Sequence, residues 1–433
     1  MAADRSTVEA QIRARVEADL AAELARRDRT RLRVDDQAWV YELVGRVVGE
    51  EQLRALTVVS RDESEQLWRR VFAAVTPLGP LAEHLADPDV EEVRINGTDA
   101  CFVFKAGRRY EVEPPFVDEA ALVDLVHWYT DGTPSARLDR ASPMVTLTLP
   151  EGSRLHAALS PPARPMSVTI RRHPPTRFRD LEALADSGFL PRELVAFLTA
   201  AVAGRLNILI AGGAGAGKTT FLRVLARQIA PSERVVTIED QSELHLWSEL
   251  RDCISLEGRP ANTEGRGAIT IQMLVHEALR MSPDRIIIGE VRGGEALDLL
   301  DAMNTGHPGS ICTIHADSPR ETLPRLVRVA LRNQQAPRAE AVLAEVTHTI
   351  DLVLYAALVR NEDSTGESRG RRLISLGCVG GLDDGRPTVQ ELVAFGLDGR
   401  WHRVGSPAAM PERVRAKLAA VCDPMRLLDG FDA

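Results

Sequence analysis

Val8, Ile12, Val16, Leu20 and Leu24 recur every four residues among arginines, acids and alanines, the spacing of one face of an amphipathic helix over residues 5–30. Such a stripe either docks a partner or packs on the next helices, which the pattern predicts near 38–48 and 63–74. Residues 1–74 therefore read as a helical N-terminal region, and "TPLGP" at 76–80 breaks it. The period then shortens. "VEEVRING", "CFVFKAGRRYEV" and "MVTLTLPEGSRLHAALS" are short β-like runs between Gly and Pro turns, and they predict a smaller mixed α/β domain over 75–175. "RRHPPTRFRD" reads as extended chain, with an interdomain linker at 176–182. Across 183–360, apolar β-rich runs alternate with helical patterns, as a mainly parallel sheet wrapped by helices requires. The polar "RNEDSTGESRGRR" at 360–372 leads into a C-terminal appendage, 361–433, that continues with two or three strands and a helix near 411–421.

Composition narrows the function classes. The 433 residues are 44% hydrophobic and 27% charged, an ordinary globular balance, and a net charge of −9 argues against a partner bound by general phosphate neutralisation, so no specific nucleic acid is expected. Cys101, Cys253, Cys312, Cys378 and Cys422 lie far apart without a C-x-x-C pair, so neither a zinc site nor a disulfide framework is indicated, and a reducing cytosol fits. The first twenty residues have charges scattered through them, and no run of about eighteen apolar residues occurs. The expectation is a protein that neither crosses the membrane nor leaves by a signal peptide.

Of 53 basic residues only Lys105, Lys218 and Lys417 are lysine, so the lysine inside "ILIAGGAGAGKTTFLRVLARQIA" at 208–230 calls for a reason. Leu206–Ala211 reads as a strand, Gly212, Gly213, Ala214, Gly215, Ala216 and Gly217 as a loop, and Lys218 onward as a helix with Leu222, Leu225, Ala226 and Ile229 on one face. This is G-x-x-x-x-G-K-[ST] in the strand-loop-helix context where it binds phosphate. Four glycines in six residues let backbone N–H groups turn inward around phosphate oxygens, at a helix N-terminus that adds its positive dipole end. A compact ammonium sits as a point charge between the outer phosphates where a planar guanidinium is too broad. Thr219 offers a hydroxyl to Mg²⁺, and Thr220 completes the motif. ATP and Mg²⁺ are the expected cofactors.

"RVVTIEDQSEL" at 234–244 is a β-branched strand ending in Glu239 and Asp240, with Glu243 just beyond. Strand C-terminal ends line the ligand crevice of open parallel sheets, so these acids are expected to hold Mg²⁺ through water or to polarise the attacking water; Glu239 is the first choice. "PDRIIIGEV" is another buried strand, with Glu290 as candidate general base. Gly289 stands where many phosphate-loop ATPases carry the metal-binding aspartate, so a direct aspartate ligand is absent and the ion is expected to lean on Thr219 and the acidic box. "NTGHPGSICTIHADS" places His307 and His315 around a short β run; either reads a γ-phosphate or a neighbouring subunit, or is an ordinary structural histidine.

Together, "GGAGAGKTT", "TIEDQSEL", "RIIIGEVRGGEA" and "TGHPGSICTIHADS" resemble the Walker A, Asp, Walker B and His boxes of the secretion ATPase superfamily, the hexameric motors of type II and type IV secretion and of type IV pili. The stretch from "EGRGAITIQ" to "SPRETLPRL" looks most like the Tad pilus branch, the CpaF or TadA type, and the missing tetracysteine module argues against the type II secretion branch. The resemblance spans about residues 75–360. It implies a RecA-like motor domain preceded by a PAS-like α/β domain that closes over the nucleotide and supplies arginines, which by motif position are Arg154 in "GSRLHA" and Arg171 and Arg172 in "TIRRH". It further implies a homohexamer at the cytoplasmic face of the inner membrane, peripherally attached through a platform protein, that drives pilus assembly or export. The alternatives are a type IV secretion or conjugation traffic ATPase and, from another class, a nucleotide-gated scaffold without turnover.

Overall fold

The computed structural model describes residues 2–54, 61–77, 79–105, 108–131, 136–149, 152–172, 178–259, 261, 266–360 and 369–432. They form two compact units, residues 1–174 and 175–433. Part of the expected linker, residues 176–177, and most of the polar loop, 361–368, lie outside the described residues.

The first unit opens with helices Ala2–Arg26, Gln37–Arg54 and Arg61–Val75. Ile12, Val16 and Leu20 are buried against Val40, Leu43, Val44, Val47, Val48 and Val71, so the N-terminal stripe packs on helices of its own chain. Each such side chain contributes about 1.5–3 kcal/mol of burial, enough to hold a three-helix cluster. An antiparallel sheet follows: β1 (Val90–Asn96), β2 (Ala100–Lys105), β3 (Arg108–Val112), β4 (Met144–Thr148), β5 (Arg154–Ala158) and β6 (Ser167–Arg171), in the order β3-β2-β1-β6-β5-β4. Period-two alternation sends Val93, Ile95, Leu155, Ala157, Val168 and Ile170 to a core shared with Leu122, Leu125, Val126 and Trp128 of helix Glu119–Thr130. Asp118 caps that helix by accepting from the Ala121 amide. The other face mixes charged residues with the rings of Phe102 and Phe104, over which Arg109 and Arg94 lie.

The second unit is built on β7 (Ile208–Gly212), β8 (Val235–Glu239), β9 (Cys253–Glu257), β10 (Arg285–Val291), β11 (Ile311–His315), β12 (Leu352–Arg360), β13 (Arg369–Asp383), β14 (Arg386–Phe395) and β15 (Trp401–Arg403). Their order is β15-β14-β13-β12-β7-β11-β10-β8-β9, and the six strands from β12 to β9 are parallel. Strand residues alternate between two cores: Ile208, Ile210 and Ile287 enter one, while Leu209, Ala211, Ile286 and Ile288 enter the other. Both faces of the parallel sheet are therefore covered, which is why its strands read as unbroken apolar runs. Residues 369–403 do not stand apart from this motor sheet; β13, β14 and β15 extend it.

Ion pairs close the end of the sheet where the parallel strands begin. Arg285, fully buried, donates to both Glu233 carboxylate oxygens, at 2.8 and 2.7 Å, and to the Val202 carbonyl at 2.8 Å. Asp351, equally buried, accepts from the Asn207 amide at 2.9 Å and from Lys417 at 2.5 Å, which ties helix Glu412–Ala419 to the sheet. Among the described residues no helix is long and apolar enough to cross a membrane.

Candidate functional site

β7 ends at Gly212, and helix Lys218–Ala226 begins where the loop closes. Gly212, Gly215 and Gly217 hold φ of +150°, +70° and +92°, and a Cβ on Gly212 would lie 2.1 Å from the Ala356 carbonyl, so the turn admits no side chain there. A Cβ on Gly213 would meet nothing within 4 Å, which leaves one wall of the loop open for a phosphate group. Lys218 Nζ donates to the Gly212 and Gly213 carbonyls at 2.9 Å each, folded over the loop it was expected to serve. Ala216 is buried beneath, and Phe221, Leu222, Leu225 and Ala226 anchor the helix in the core. Thr219 and Thr220 stand in the helix's first turn.

Glu239, at the end of β8, corrects the expectation that its carboxylate opens onto the crevice. It is buried, 4% exposed, and Oε1 accepts from the amides of Glu243 and Leu244 at 3.1 Å each. The physical reason is Gly289 on the neighbouring strand β10: a Cβ there would lie 3.0 Å from Glu239 Cγ and 3.2 Å from Oε1. The glycine makes room for the glutamate. Burial raises the Glu239 pKa to about 8, with the nearby Glu243 and Glu257 charges adding to it, while the two amide hydrogen bonds oppose the shift. The folded chain thus keeps a proton that the unfolded chain sheds near 4.5, and in this metal-free form the group's contribution to stability falls as pH rises from 4.5 to about 8. Glu239→Gln, neutral and of the same shape, is expected to lack that fall, at about 1.4 kcal/mol per pH unit at most. Urea unfolding at several pH values without nucleotide or metal checks this; parallel wild-type and variant profiles would refute it.

Glu290, half-buried at the end of β10, accepts from Arg292 Nη2 at 2.7 Å, and Arg292 Nη1 reaches Asp240 at 3.2 Å. The Glu290 hydrogen bond and the charges of Glu290, Asp240 and Glu243 raise the Arg292 pKa, so this guanidinium is the local counter-ion of the acidic group. Sequence reading passed over Arg292, although "GEVRGG" set it two residues from the proposed base. A second unforeseen residue is Arg371 of β13, whose Nε donates to the Gly215 carbonyl at 2.9 Å. No spacing signal links positions 156 residues apart.

The histidines separate. His315 ends β11 and pairs in register with Gly212, beside the phosphate loop. His307 lies before that strand begins, at the amino end of the sheet, where Nδ1 donates to the Pro283 carbonyl at 2.7 Å. A strand of five residues, about 16 Å at 3.3 Å each, runs between the two ends, so the structure does not bring His307 to the phosphate loop of its own chain.

In the first unit Arg154 and Arg171 are direct cross-strand partners on the face of the sheet opposite its core. On the same face Arg171 also pairs in register with Glu92 of β1, so an acid already stands beside one of the two arginines. Arg172 follows the end of β6 and donates to the Asp87 carbonyl, apart from that pair.

Among the described residues no three His, Cys, Asp or Glu side chains are grouped to hold a metal ion by themselves. That donor set still fits Mg²⁺ carried with a nucleotide, because this ion keeps several waters and takes most of its remaining ligands from phosphates. Thr219 would supply the hydroxyl, and Asp240, exposed beside the strand end, a water-mediated carboxylate.

The family model described as "Type II/IV secretion system protein" matches residues 76–402. A putative conjugal transfer protein of Mycobacterium tuberculosis is 36% identical over 289 residues, which cover 62% of this chain and 80% of the relative. VirB11 of Agrobacterium fabrum is 33% identical over 296 residues, 61% of this chain and 83% of its own. The X-ray structure of the ATPase DotB of Yersinia pseudotuberculosis shares the fold at TM-score 0.50 and 18% identity, over 81% of this chain and 85% of that one.

Proposed function

The chain belongs to the type II/IV secretion system protein family, the secretion ATPase superfamily, and on that premise we propose that it is a Mg²⁺-dependent ATPase that converts nucleotide hydrolysis into movement of a secretion machine. One observation carries the reading: the loop after β7, Glu290 at the end of β10 and the acidic box at the end of β8 stand at the same end of one parallel sheet. In this mechanism the loop amides and Lys218 bind the β- and γ-phosphates, and Glu290 takes a proton from the attacking water. Arg154 and Arg171 are the proposed cations for charge developing on the transferred phosphoryl group.

The machine we favour is a type IV secretion or conjugation system. Its support is the identity with the conjugal transfer protein and with VirB11, where the sequence alone led to the Tad pilus branch. The pilus reading stands second, on the stretch from Glu264 to Leu326 that resembles that branch. Pilin and prepilin peptidase genes beside this one would favour the pilus; relaxase and coupling-protein genes would favour conjugation. A homohexamer, peripheral at the cytoplasmic face of the membrane and bound to a platform protein there, is part of the same proposal.

Steady-state phosphate release from ATP tests it. We expect release that needs Mg²⁺, that Lys218→Ala abolishes, and that rises more than linearly with protein concentration until rings form. Mass measurement with a non-hydrolysable analogue should then give hexamers. ATP binding without phosphate release would instead mark a nucleotide-gated scaffold, and full specific activity in a strict monomer would remove the ring.

A further inference from the structure

We propose that Arg371 is a positioning residue of the phosphate loop: it sets the direction of the Gly215–Ala216 peptide and so the affinity for the diphosphate part of a nucleotide. The inference rests on the nucleotide-binding reading above and extends it to a strand outside the four sequence boxes.

Three carbonyls of the loop are held by two cations. Lys218 takes those of Gly212 and Gly213, and Arg371 Nε takes that of Gly215 at 2.9 Å. A trans peptide is planar, with its C=O and the following N–H pointing in opposite directions. Drawing the Gly215 oxygen outward to Arg371 therefore turns the Ala216 N–H inward, where it makes a long 3.4 Å contact to the Gly213 carbonyl. Inward-facing amides are what a phosphate cradle consists of. Gly215, at φ +70°, has no Cβ to resist rotation of that peptide, so the shorter outside hydrogen bond adds to the long inside one in holding its direction.

An arginine-rich surface bonds many carbonyls by accident, but the position of Arg371 is built. β13 is fixed on one side by β12, with Leu358 opposite Arg371. It is fixed also by the Leu373 amide donating to the Phe189 carbonyl at 2.7 Å and by Trp401 Nε1 donating to the Leu373 carbonyl at 2.9 Å. The Arg371 side chain runs along the loop: its Cδ lies 3.5 Å from where a Cβ on Gly217 would be, and Leu358 Cδ1 lies 3.7 Å from the same point on Gly215. The bond is made through Nε, close to the stem, where few rotamers remain to be lost.

Calorimetric titration of the full chain with ADP, and separately with inorganic pyrophosphate, tests the role. Arg371→Ala should weaken both probes by the same factor, about tenfold, the loss expected for one charge-assisted hydrogen bond. Arg371→Lys should recover part of it, since an ammonium donates to the same carbonyl. Should Arg371→Ala not fold, Arg371→Gln takes its place and is expected to keep some of the bond. A loss confined to ADP would assign Arg371 to the adenosine part and overturn the proposal, as would unchanged affinity for both probes. Wild-type protein that binds neither probe, or binding that survives Lys218→Ala, would sink the nucleotide reading itself.

Discussion

Glu290→Gln is expected to bind ATP as tightly as the wild type and to turn it over about 10² to 10⁴ times more slowly, the range for loss of a positioned general base. The substitution keeps size and a hydrogen-bonding amide while removing the only proton-accepting function at the end of β10. Arg292 makes the outcome sharper. It holds Glu290 at 2.7 Å and Asp240 at 3.2 Å, so the carboxylate is oriented from the side before any substrate arrives. In the variant an amide oxygen still accepts from Arg292, and the surrounding acids stay in place. Tightness of binding is therefore preserved, and the loss falls on turnover, which equilibrium titration together with single-turnover phosphate release separates. Near-normal hydrolysis would transfer the role of base to Glu243, because Glu239 is already engaged with its own loop amides.

What could be read from the sequence was what depends on neighbours along the chain. The phosphate loop is one continuous stretch whose glycines, lysine and threonine act through local backbone, so Gly212 to Thr219 carried both position and chemistry. The parallel strands were legible for a similar reason, since burial on both faces leaves an apolar run in each. Facing and end were not legible. Two histidines eight residues apart sound like one site, yet the five-residue strand between them puts His307 and His315 at opposite ends of the sheet. Glu239 and Gly289 were each noted, but their contact crosses from β8 to β10, and no single-chain pattern encodes the register that joins them. Arg371 was hidden more deeply. The polar run that precedes it marked an appendage in the sequence, whereas antiparallel pairing folds that strand back beside the motor's own.

Gly289→Asp would restore the acid that many phosphate-loop ATPases carry at this place, and it is expected to destabilise the fold by about 3–5 kcal/mol rather than improve the metal site. The new Cβ would press on Glu239 Cγ at 3.0 Å and on Oε1 at 3.2 Å, tighter than nine in ten side-chain contacts, so Glu239 would have to give by a few tenths of an ångström. Glu239 has little freedom to yield, since it is 4% exposed and held by the Glu243 and Leu244 amides. A second carboxylate would then share a buried space in which one already has its charge disfavoured, and two like charges there cannot both be solvated. If steric and electrostatic crowding by Glu239 is the cause, removing that side chain must relieve it. Glu239→Ala combined with Gly289→Asp should recover about 2 kcal/mol or more relative to the sum of the single variants, a coupling of the size found for residues in contact. Urea unfolding of the four proteins measures the cycle. A Gly289→Asp variant as stable as the wild type, or strictly additive effects, would show that the two strands do not compete for this space. Coupling at the expected size would mean that the unusual glycine and the acidic box are one feature: the carboxylate at this level of the sheet comes from β8, and β10 gives up its side chain to admit it.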